Sequence, residues 1–237
     1  MSRAAEIAAA LRSVRERIAA AERAAGRAAG SARLVAVSKK MPPDDVRAAL
    51  AAGQLDLGES YGQELRDKRQ AFQSLAEGAA QPRWHFIGPL QANKVKYVAG
   101  HVALIHSIDS TELLDEIERR GADQAVLVQV NVAREARKRG AAPDALPALL
   151  DHFASLRHVR CEGLMTIPPL ADDPEASRPH FAALRALRDR EAARPRPNVE
   201  LRELSMGMSD DLEVAVAEGA TFVRVGTAIF GSRAHSP

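Results

Sequence analysis

Two neighbouring lysines, Lys39 and Lys40, follow a short apolar run that predicts a buried strand. An amine held at the end of such a strand, in a partly desolvated site, has a lowered pKa and can attack an aldehyde. The alternative is a lysine that simply reaches solvent. Successive side chains of a strand point to opposite faces, so only one of the two could enter a barrel. The apolar pattern does not say which one.

Small and hydroxylated residues near the end of the sequence are typical of an anion site. Gly207 and Gly226 would let the backbone approach a ligand closely, while Ser205, Ser209 and Thr227 supply hydroxyl groups. Backbone N–H groups at a helix start would add further donors. These residues predict a phosphate cradle.

The same residues also have an ordinary structural explanation. Ser209 precedes Asp210 and Asp211, an order typical of a helix N-cap followed by acids in the first turn. The glycines equally suit tight turns. The sequence leaves both interpretations open.

Arg224 lies inside the last predicted strand, where a buried charge is costly without a partner. A cofactor with an acceptor nitrogen would supply that partner. Arginine does not readily give up its proton, so an aromatic ring facing it would be a poor electron sink. The alternative is a structural arginine paired at the barrel rim.

Other polar residues carry weaker signals. Glu59, Ser60 and Tyr61 follow the second predicted strand, where they form either an ordinary polar rim or part of the same site. His85 is interpreted as a core histidine. The seven histidines and the single cysteine, Cys161, have no metal-ligand spacing, so no metal is expected.

Alternating strand and helix patterns must position these residues. The predicted strands are Leu34–Val37, Leu55–Leu57, His85–Ile87, Ala103–Ile105, Ala125–Val130, Val159–Leu164, Glu203–Leu204 and Thr221–Val225. The predicted helices between them are Pro43–Ala52, Gly62–Leu75, Asn93–Val98, Thr111–Arg120, Pro143–Ala154, Pro179–Ala193 and Asp211–Glu218. Eight such units predict a single (β/α)8 TIM-type barrel, whose working residues project from the C-terminal ends of the strands. A doubly wound open sheet is the runner-up.

The first part of the sequence predicts an additional element. Residues Ala4 to Arg27 have apolar side chains at helical spacing, and Gly30 closes the stretch. We therefore expect an N-terminal helix over residues 1–30 packed on a barrel over residues 31–237, as one domain overall.

The composition excludes several classes of partner. A net charge of +2 over 237 residues gives no strong field for nucleic acid or an anionic membrane. No apolar run approaches the roughly 20 residues of a membrane helix, and one cysteine precludes an internal disulfide. Acidic residues interrupt the Ala- and Arg-rich start, which argues against a transit peptide. A cytoplasmic location is expected.

The order of several motifs resembles the pyridoxal phosphate homeostasis protein family, also called YggS/PROSC-type pyridoxal phosphate (PLP)-binding proteins. The motifs that carry the resemblance cover residues 36–39, 58–64, 84–94, 106–109, 163–167, 204–210 and 223–231. The resemblance extends along nearly the whole chain after the first helix.

The resemblance implies the barrel fold of the alanine racemase N-terminal domain, with PLP held as an internal aldimine on Lys39. It further implies phosphate contacts from four residues, Ser205, Ser209, Gly226 and Thr227, and places Arg224 opposite the pyridine nitrogen. Ser60 stands where the family usually has Asn and is included among the cofactor-binding residues. Met41 replaces a second lysine common in the family.

The expected function is therefore PLP binding in vitamin B6 homeostasis, without strong catalytic activity and with no catalytic residues. A racemase of this fold uses a second base from a C-terminal β domain, and the chain ends at Pro237, shortly after the last barrel segment. The alternative is a small PLP-dependent racemase or lyase with Tyr61 or His85 as second base. A scaffold without cofactor is a third hypothesis. Other B6 vitamers and PLP-dependent apoenzymes are expected partners, and a monomer is expected.

Overall fold

The computed structural model describes residues 1–73 and 81–231. In these ranges eight parallel strands close into a barrel in the order β1 to β8, and β8 pairs with β1. The strands are β1 (Arg33–Val37), β2 (Asp56–Glu59), β3 (Arg83–Phe86), β4 (Leu104–Ile108), β5 (Gln124–Gln129), β6 (Val159–Met165), β7 (Val199–Ser205) and β8 (Phe222–Val225). The predicted TIM-type barrel is confirmed. The open-sheet alternative is wrong, because the β1–β8 pairing leaves no free edge.

Helices follow the strands around the outside of the barrel. The α-helices of the described residues are α1 (Arg3–Ala24), α2 (Pro43–Ala51), α3 (Gly62–Phe72), α4 (Thr111–Glu118), α5 (Leu146–His152), α6 (Arg178–Ala192), α7 (Leu212–Ala217) and α8 (Thr227–Phe230). Short 3-10 helices cover Ala92–Tyr97, Phe153–Ser155 and Pro174–Ser177. None of the helices within these ranges has both the length and the apolar character needed to cross a membrane.

Several predicted elements differ from the structure in extent or type. The segment predicted as helix Asn93–Val98 forms a 3-10 helix instead. The helix predicted from Pro143 begins only at Leu146. Strand β7 has seven residues, whereas only two were predicted. The prediction was too short because charged side chains on the outer face of the strand interrupt its apolar pattern. The end of the predicted helix Gly62–Leu75 lies outside the described residues.

Helix α1 packs against α2, α7 and α8. Its buried face carries Ile7, Leu11 and Val14, which join the main hydrophobic core. Arg3 donates to Asp45 in α2 at 2.7 Å and to the Phe230 carbonyl in α8 at 2.7 Å. The N-terminal helix therefore contacts the elements that flank β1 and β8.

The interior of the barrel is divided between apolar and polar side chains. An apolar cluster fills part of it, formed by Val35, Leu104, Ala125, Leu127, Met165 and Phe222. The buried polar residues His85, His106, Ser205 and Arg224 also lie inside the barrel, where both histidine rings contact Phe222. Burial of this many polar groups requires that they satisfy one another by hydrogen bonding.

Candidate functional site

A cavity of about 290 Å³ opens beside the ends of β1, β2 and β8. Its lining is formed by Val37, Lys39, Ser60, Ile87, Ile167, Leu170, Met208, Ser209, Asp210, Arg224, Gly226 and Thr227. Six of the seven residues predicted to bind the cofactor are among them. The first strand and the last two βα segments therefore meet at one site, as the barrel fold requires.

A tight turn after β1 separates the two lysines. The Met41 N–H donates to the Ser38 carbonyl at 3.0 Å, and Lys40 has a φ of 61°. Lys39 is half-buried and lines the cavity, whereas Lys40 is exposed. The assumption that both lysines continue the alternation of the strand is wrong, because β1 ends at Val37 and the turn decides their directions.

Buried charges lie directly beneath this turn. Lys68 in α3 donates to the Ser38 carbonyl at 2.6 Å, to Glu59 at 2.8 Å and to Glu64 at 2.8 Å. Glu64 also accepts the Lys40 N–H at 2.5 Å, and the Ser38 hydroxyl donates to Glu59 at 2.7 Å. The peptide groups on either side of Lys39 are thereby each hydrogen-bonded to a side chain of α3, one to Lys68 and the other to Glu64.

Glu59 is a buried carboxylate at the end of β2. Its side chain is fully buried, and its Oε2 atom has no hydrogen-bond partner among the described residues. Burial raises the pKa of Glu59 despite the nearby ammonium group of Lys68. The sequence left open whether Glu59 lies on an ordinary polar rim or in the site, and the structure shows it in a buried ion pair with Lys68. The i,i+4 spacing of Glu64 and Lys68 was the only sequence signal of this network.

Arg224 forms the inner wall of the cavity. It donates to the Ser205 hydroxyl at 2.6 Å and to the Thr166 carbonyl at 3.0 Å. Burial lowers its pKa to about 10, and a favourable charge interaction with Asp211 opposes this only partly. The guanidinium therefore remains a cation at neutral pH. No carboxylate of the described residues forms an ion pair with it.

Ser205 is the predicted cofactor residue that does not line the cavity. It is fully buried at the end of β7, and its hydroxyl is hydrogen-bonded to Arg224 and, at 2.8 Å, to His106 Nδ1. Its predicted phosphate contact stays a prediction. Its observed partners place it behind Arg224, inside the barrel.

The remaining cradle residues surround the cavity mouth. Ser209 lies on the β7–α7 loop, and its carbonyl accepts from Arg17 of α1 at 2.9 Å. Gly226 and Thr227 begin the short helix α8. Ser209 is not the N-cap of α7, because that helix begins at Leu212 and its cap position is Asp211. The side chain of Ser209 is thus available to the cavity.

The residues considered as a second base lie elsewhere. Tyr61 is 49% exposed at the start of α3 and is not part of the cavity lining. His85 is buried in the barrel between Asp56 and His106, at 2.9 and 3.0 Å, as its interpretation as a core histidine predicts. Among the described residues, no group of three His, Cys, Asp or Glu side chains could hold a metal ion.

The donor set of the cavity fits a flat ligand that carries an aldehyde, an anionic tail and a ring nitrogen. Lys39 provides an amine, while Ser209 and Thr227 provide hydroxyl donors beside the start of α8. Arg224 uses two of its five N–H groups inside the barrel and can donate others to an acceptor nitrogen. A buried cation that forms no ion pair with any carboxylate of residues 1–73 or 81–231 is the observation that favours such a ligand.

Comparison with known proteins identifies close relatives. The family model for the alanine racemase N-terminal domain matches residues 10–234. A curated "Pyridoxal phosphate homeostasis protein" from Aquifex aeolicus is 46% identical over 224 residues, which cover 93% of this chain and 95% of the relative.

Solved structures agree with this relationship. PipY of Synechococcus elongatus, in a structure described as having PLP bound, is 35% identical with a TM-score of 0.80, and the match covers 95% of this chain and 100% of PipY. Alanine racemase from Corynebacterium glutamicum is 16% identical with a TM-score of 0.65, and the match covers 95% of this chain but 60% of the racemase. The second similarity concerns the fold alone.

Proposed function

The chain belongs to the pyridoxal phosphate homeostasis protein family, and on this premise we propose that it holds PLP through a Schiff base on Lys39. The proposed role is vitamin B6 homeostasis, in which the protein binds the cofactor without strong catalysis. The observation that supports this most is the single cavity shared by Lys39 and Arg224 with the hydroxyl groups of the last two βα segments. The Lys39 amine would condense with the aldehyde and release one water molecule.

The side chains around Lys39 would divide the recognition of the cofactor. Ser209, Gly226 and Thr227 suit the phosphate, because hydroxyl and backbone N–H donors are typical ligands of that group. Ser60, which lines the same cavity as Lys39, is proposed to contact the ring of the cofactor. Ser205 is proposed to act on the cofactor chiefly through Arg224, which holds its hydroxyl.

Arg224 is proposed to donate to the pyridine nitrogen. Bound PLP would supply an electrophilic ring system, and its power as an electron sink depends on protonation of that nitrogen. With a pKa of about 10, Arg224 keeps its proton at neutral pH. This supports a role in holding the cofactor rather than in using it.

A holding role is further supported by the position of the candidate second bases. Neither Tyr61 nor His85 belongs to the cavity lining, so neither is placed to exchange a proton with a bound substrate. The relatives' shared name refers to homeostasis rather than to a reaction. No observation favours the racemase or lyase alternative.

Absorbance spectroscopy of the purified protein with added PLP tests this proposal. Wild type and Lys40→Ala are expected to give the yellow absorption of a protonated Schiff base, and Lys39→Ala is expected to lose it. Lys40→Ala is the matched control, because Lys40 is the adjacent lysine and is exposed. Rapid racemisation or decarboxylation of any amino acid by the wild type would refute the non-catalytic role.

The wider cellular role is proposed on the same basis. We expect other B6 vitamers to compete with PLP for the cavity, and PLP-dependent apoenzymes to accept the cofactor from the protein. A monomer and a cytoplasmic location are also proposed. Sedimentation would test the oligomeric state, and recovery of activity by an apoenzyme mixed with the loaded protein would test delivery.

A further inference from the structure

A continuous series of hydrogen bonds crosses the interior of the barrel beneath Arg224. It links Arg224 Nη1 to Ser205 Oγ at 2.6 Å, Ser205 Oγ to His106 Nδ1 at 2.8 Å, His106 Nε2 to His85 Nδ1 at 3.0 Å and His85 Nε2 to Asp56 Oδ1 at 2.9 Å. Five strands contribute one residue each. The series begins at the cavity and ends at Asp56, the first residue of β2, at the opposite rim of the barrel.

The two ends of the series, together with neutral imidazoles between them, set its direction. Arg224 can only donate, because a guanidinium has no acceptor. Asp56 is an acceptor when ionised: burial raises the pKa of its carboxyl, but hydrogen bonds from His85 and Arg83 outweigh that effect and lower the pKa overall. When both imidazoles are neutral, the bonds therefore all run from Arg224 towards Asp56.

This direction specifies the proton positions on both histidines. A neutral imidazole has one donor and one acceptor nitrogen, and burial holds the pKa of His106 well below its usual value, so this ring is neutral. In this arrangement Ser205 accepts from Arg224 and donates to His106 Nδ1. His106 then donates from Nε2 to His85 Nδ1, and His85 donates from Nε2 to Asp56. Both histidines then carry their proton on Nε2.

We infer that Asp56, His85, His106 and Ser205 are positioning residues that hold Arg224 in the cavity from the far end of the barrel. The anionic end polarises each bond in turn and offsets part of the cost of burying the guanidinium. A guanidinium held in this way presents its remaining donors in a fixed direction, which lowers the cost of ordering when a ligand binds. The consequence for PLP rests on the proposed function, whereas the series itself belongs to the protein alone.

The first test reads the proton positions directly. In the cofactor-free protein labelled with ¹⁵N, imidazole nitrogen shifts distinguish the two neutral tautomers of a histidine. Both His85 and His106 are expected to be in the Nε2–H form. A proton on Nδ1 of either ring would overturn the inference, and this test needs neither a variant nor a bound cofactor.

The second test breaks the series at the end far from the cavity. Asp56→Ala removes the acceptor of His85 and is expected to move the ¹⁵N resonances of His106, although residue 56 does not bond to it. The same variant is expected to bind PLP about 3- to 30-fold more weakly. Arg83→Ala is the matched control, because Arg83 pairs with Asp56 at the surface but lies outside the series. Because Asp56 stays in place as the acceptor of His85, Arg83→Ala is expected to change both quantities less than Asp56→Ala does.

The outcomes separate the two proposals. Equal PLP affinities for Asp56→Ala and Arg83→Ala would overturn the positioning role. If Asp56→Ala does not fold, Asp56→Asn keeps an acceptor oxygen and removes the charge, and an affinity equal to that of Arg83→Ala again overturns the role. Failure of the wild type to form a Schiff base would refute the proposed function, while the histidine tautomers would still decide whether the series exists.

Discussion

At the scale of single residues, the position of Lys39 depends on charges that the barrel buries beneath it. Lys68 contacts the Ser38 carbonyl and two carboxylates, and both Lys68 and Glu59 are buried. Removal of one partner from a buried ion pair leaves the other charge unpaired in a medium of low polarity. The turn that carries Lys39 should therefore depend on Lys68 for both its stability and its geometry.

We predict that Lys68→Met lowers the free energy of unfolding by about 3 kcal/mol at neutral pH. Lys96→Met, at an exposed lysine, is the control and should change it by less than about 0.5 kcal/mol. Urea denaturation measures both values. Equal effects of the two substitutions would contradict the structural role assigned to Lys68.

The same variant should have a characteristic pH dependence. The pKa of Glu59 is already raised by burial, and loss of Lys68 would raise it further. A group with a raised folded-state pKa contributes stability below its unfolded pKa and loses it as the pH rises through the folded value. Lys68→Met should therefore lose stability more steeply than wild type as the pH rises above the unfolded-state pKa of glutamate, about 4.3. Parallel pH profiles of the two proteins would argue against this assignment.

The sequence reveals the types of these site residues better than their contacts. Lys39, Ser209 and Thr227 were predictable because each follows a strand pattern and the fold brings strand ends together. The contact between His106 and Ser205 joins residues 99 positions apart. Spacing along a chain carries no information about which interior side chains of a closed barrel meet. The choice between the two lysines came from the resemblance, since a turn rather than strand alternation separates them.

At the scale of secondary-structure elements, the loop between β7 and α7 depends on Gly207. Its φ is 91°, a region that side chains with a Cβ atom rarely adopt. A Cβ at this position would lie 2.4 Å from Ala215 Cβ in α7. Glycine is needed here for close packing against α7 rather than for contact with the cavity.

Gly207→Ala is expected to lower the free energy of unfolding by more than about 2 kcal/mol, because backbone strain and a steric clash add. Gly26→Ala tests the strain alone, since Gly26 has a φ of 65° and a Cβ added there would have no atom within 4 Å. Its expected cost is about 1 kcal/mol. Gly207→Ala should also weaken PLP binding, because Ser209 lies two residues further along the same loop. Similar costs for both variants, measured by urea denaturation, would show that α7 can move away.

Strand and helix order was largely predictable, because alternating apolar runs and amphipathic segments reflect burial on the two sides of the barrel wall. The elements that differed were those with weak or mixed patterns. In β7, Glu200 and Arg202 form an ion pair on the outer face and break the apolar run. The segment Ala92–Tyr97 forms a 3-10 helix, and its length does not explain this, because α7 is equally short.

At the scale of the whole molecule, α1 and the barrel are proposed to form one folding unit. Arg17 of α1 bonds to Glu213 at 2.6 Å and to the carbonyl of Ser209, a residue of the cavity wall. The apolar face of α1 belongs to the same core as the outer surface of the barrel. Separate unfolding of α1 would therefore both expose that core and disturb the cavity.

Three probes in different parts of the chain should therefore report one unfolding transition. Far-UV circular dichroism reports on the helices, and fluorescence of the single tryptophan, Trp84, reports on β3. Labelling of the buried Cys161 reports on β6. Burial raises the pKa of the Cys161 thiol to about 12, so no labelling of the native protein is expected at about pH 8. A dichroism change that precedes the other two would indicate that α1 unfolds independently.

Reduction of the PLP-loaded protein with borohydride, followed by peptide mapping, tests the central claim most directly. Reduction converts a Schiff base into a stable secondary amine and so marks the lysine that carried the cofactor. The pyridoxyl label is expected on Lys39 alone in the wild type and is expected to be lost in Lys39→Ala. A label on Lys40, or no label despite tight PLP binding, would contradict the Schiff base on Lys39.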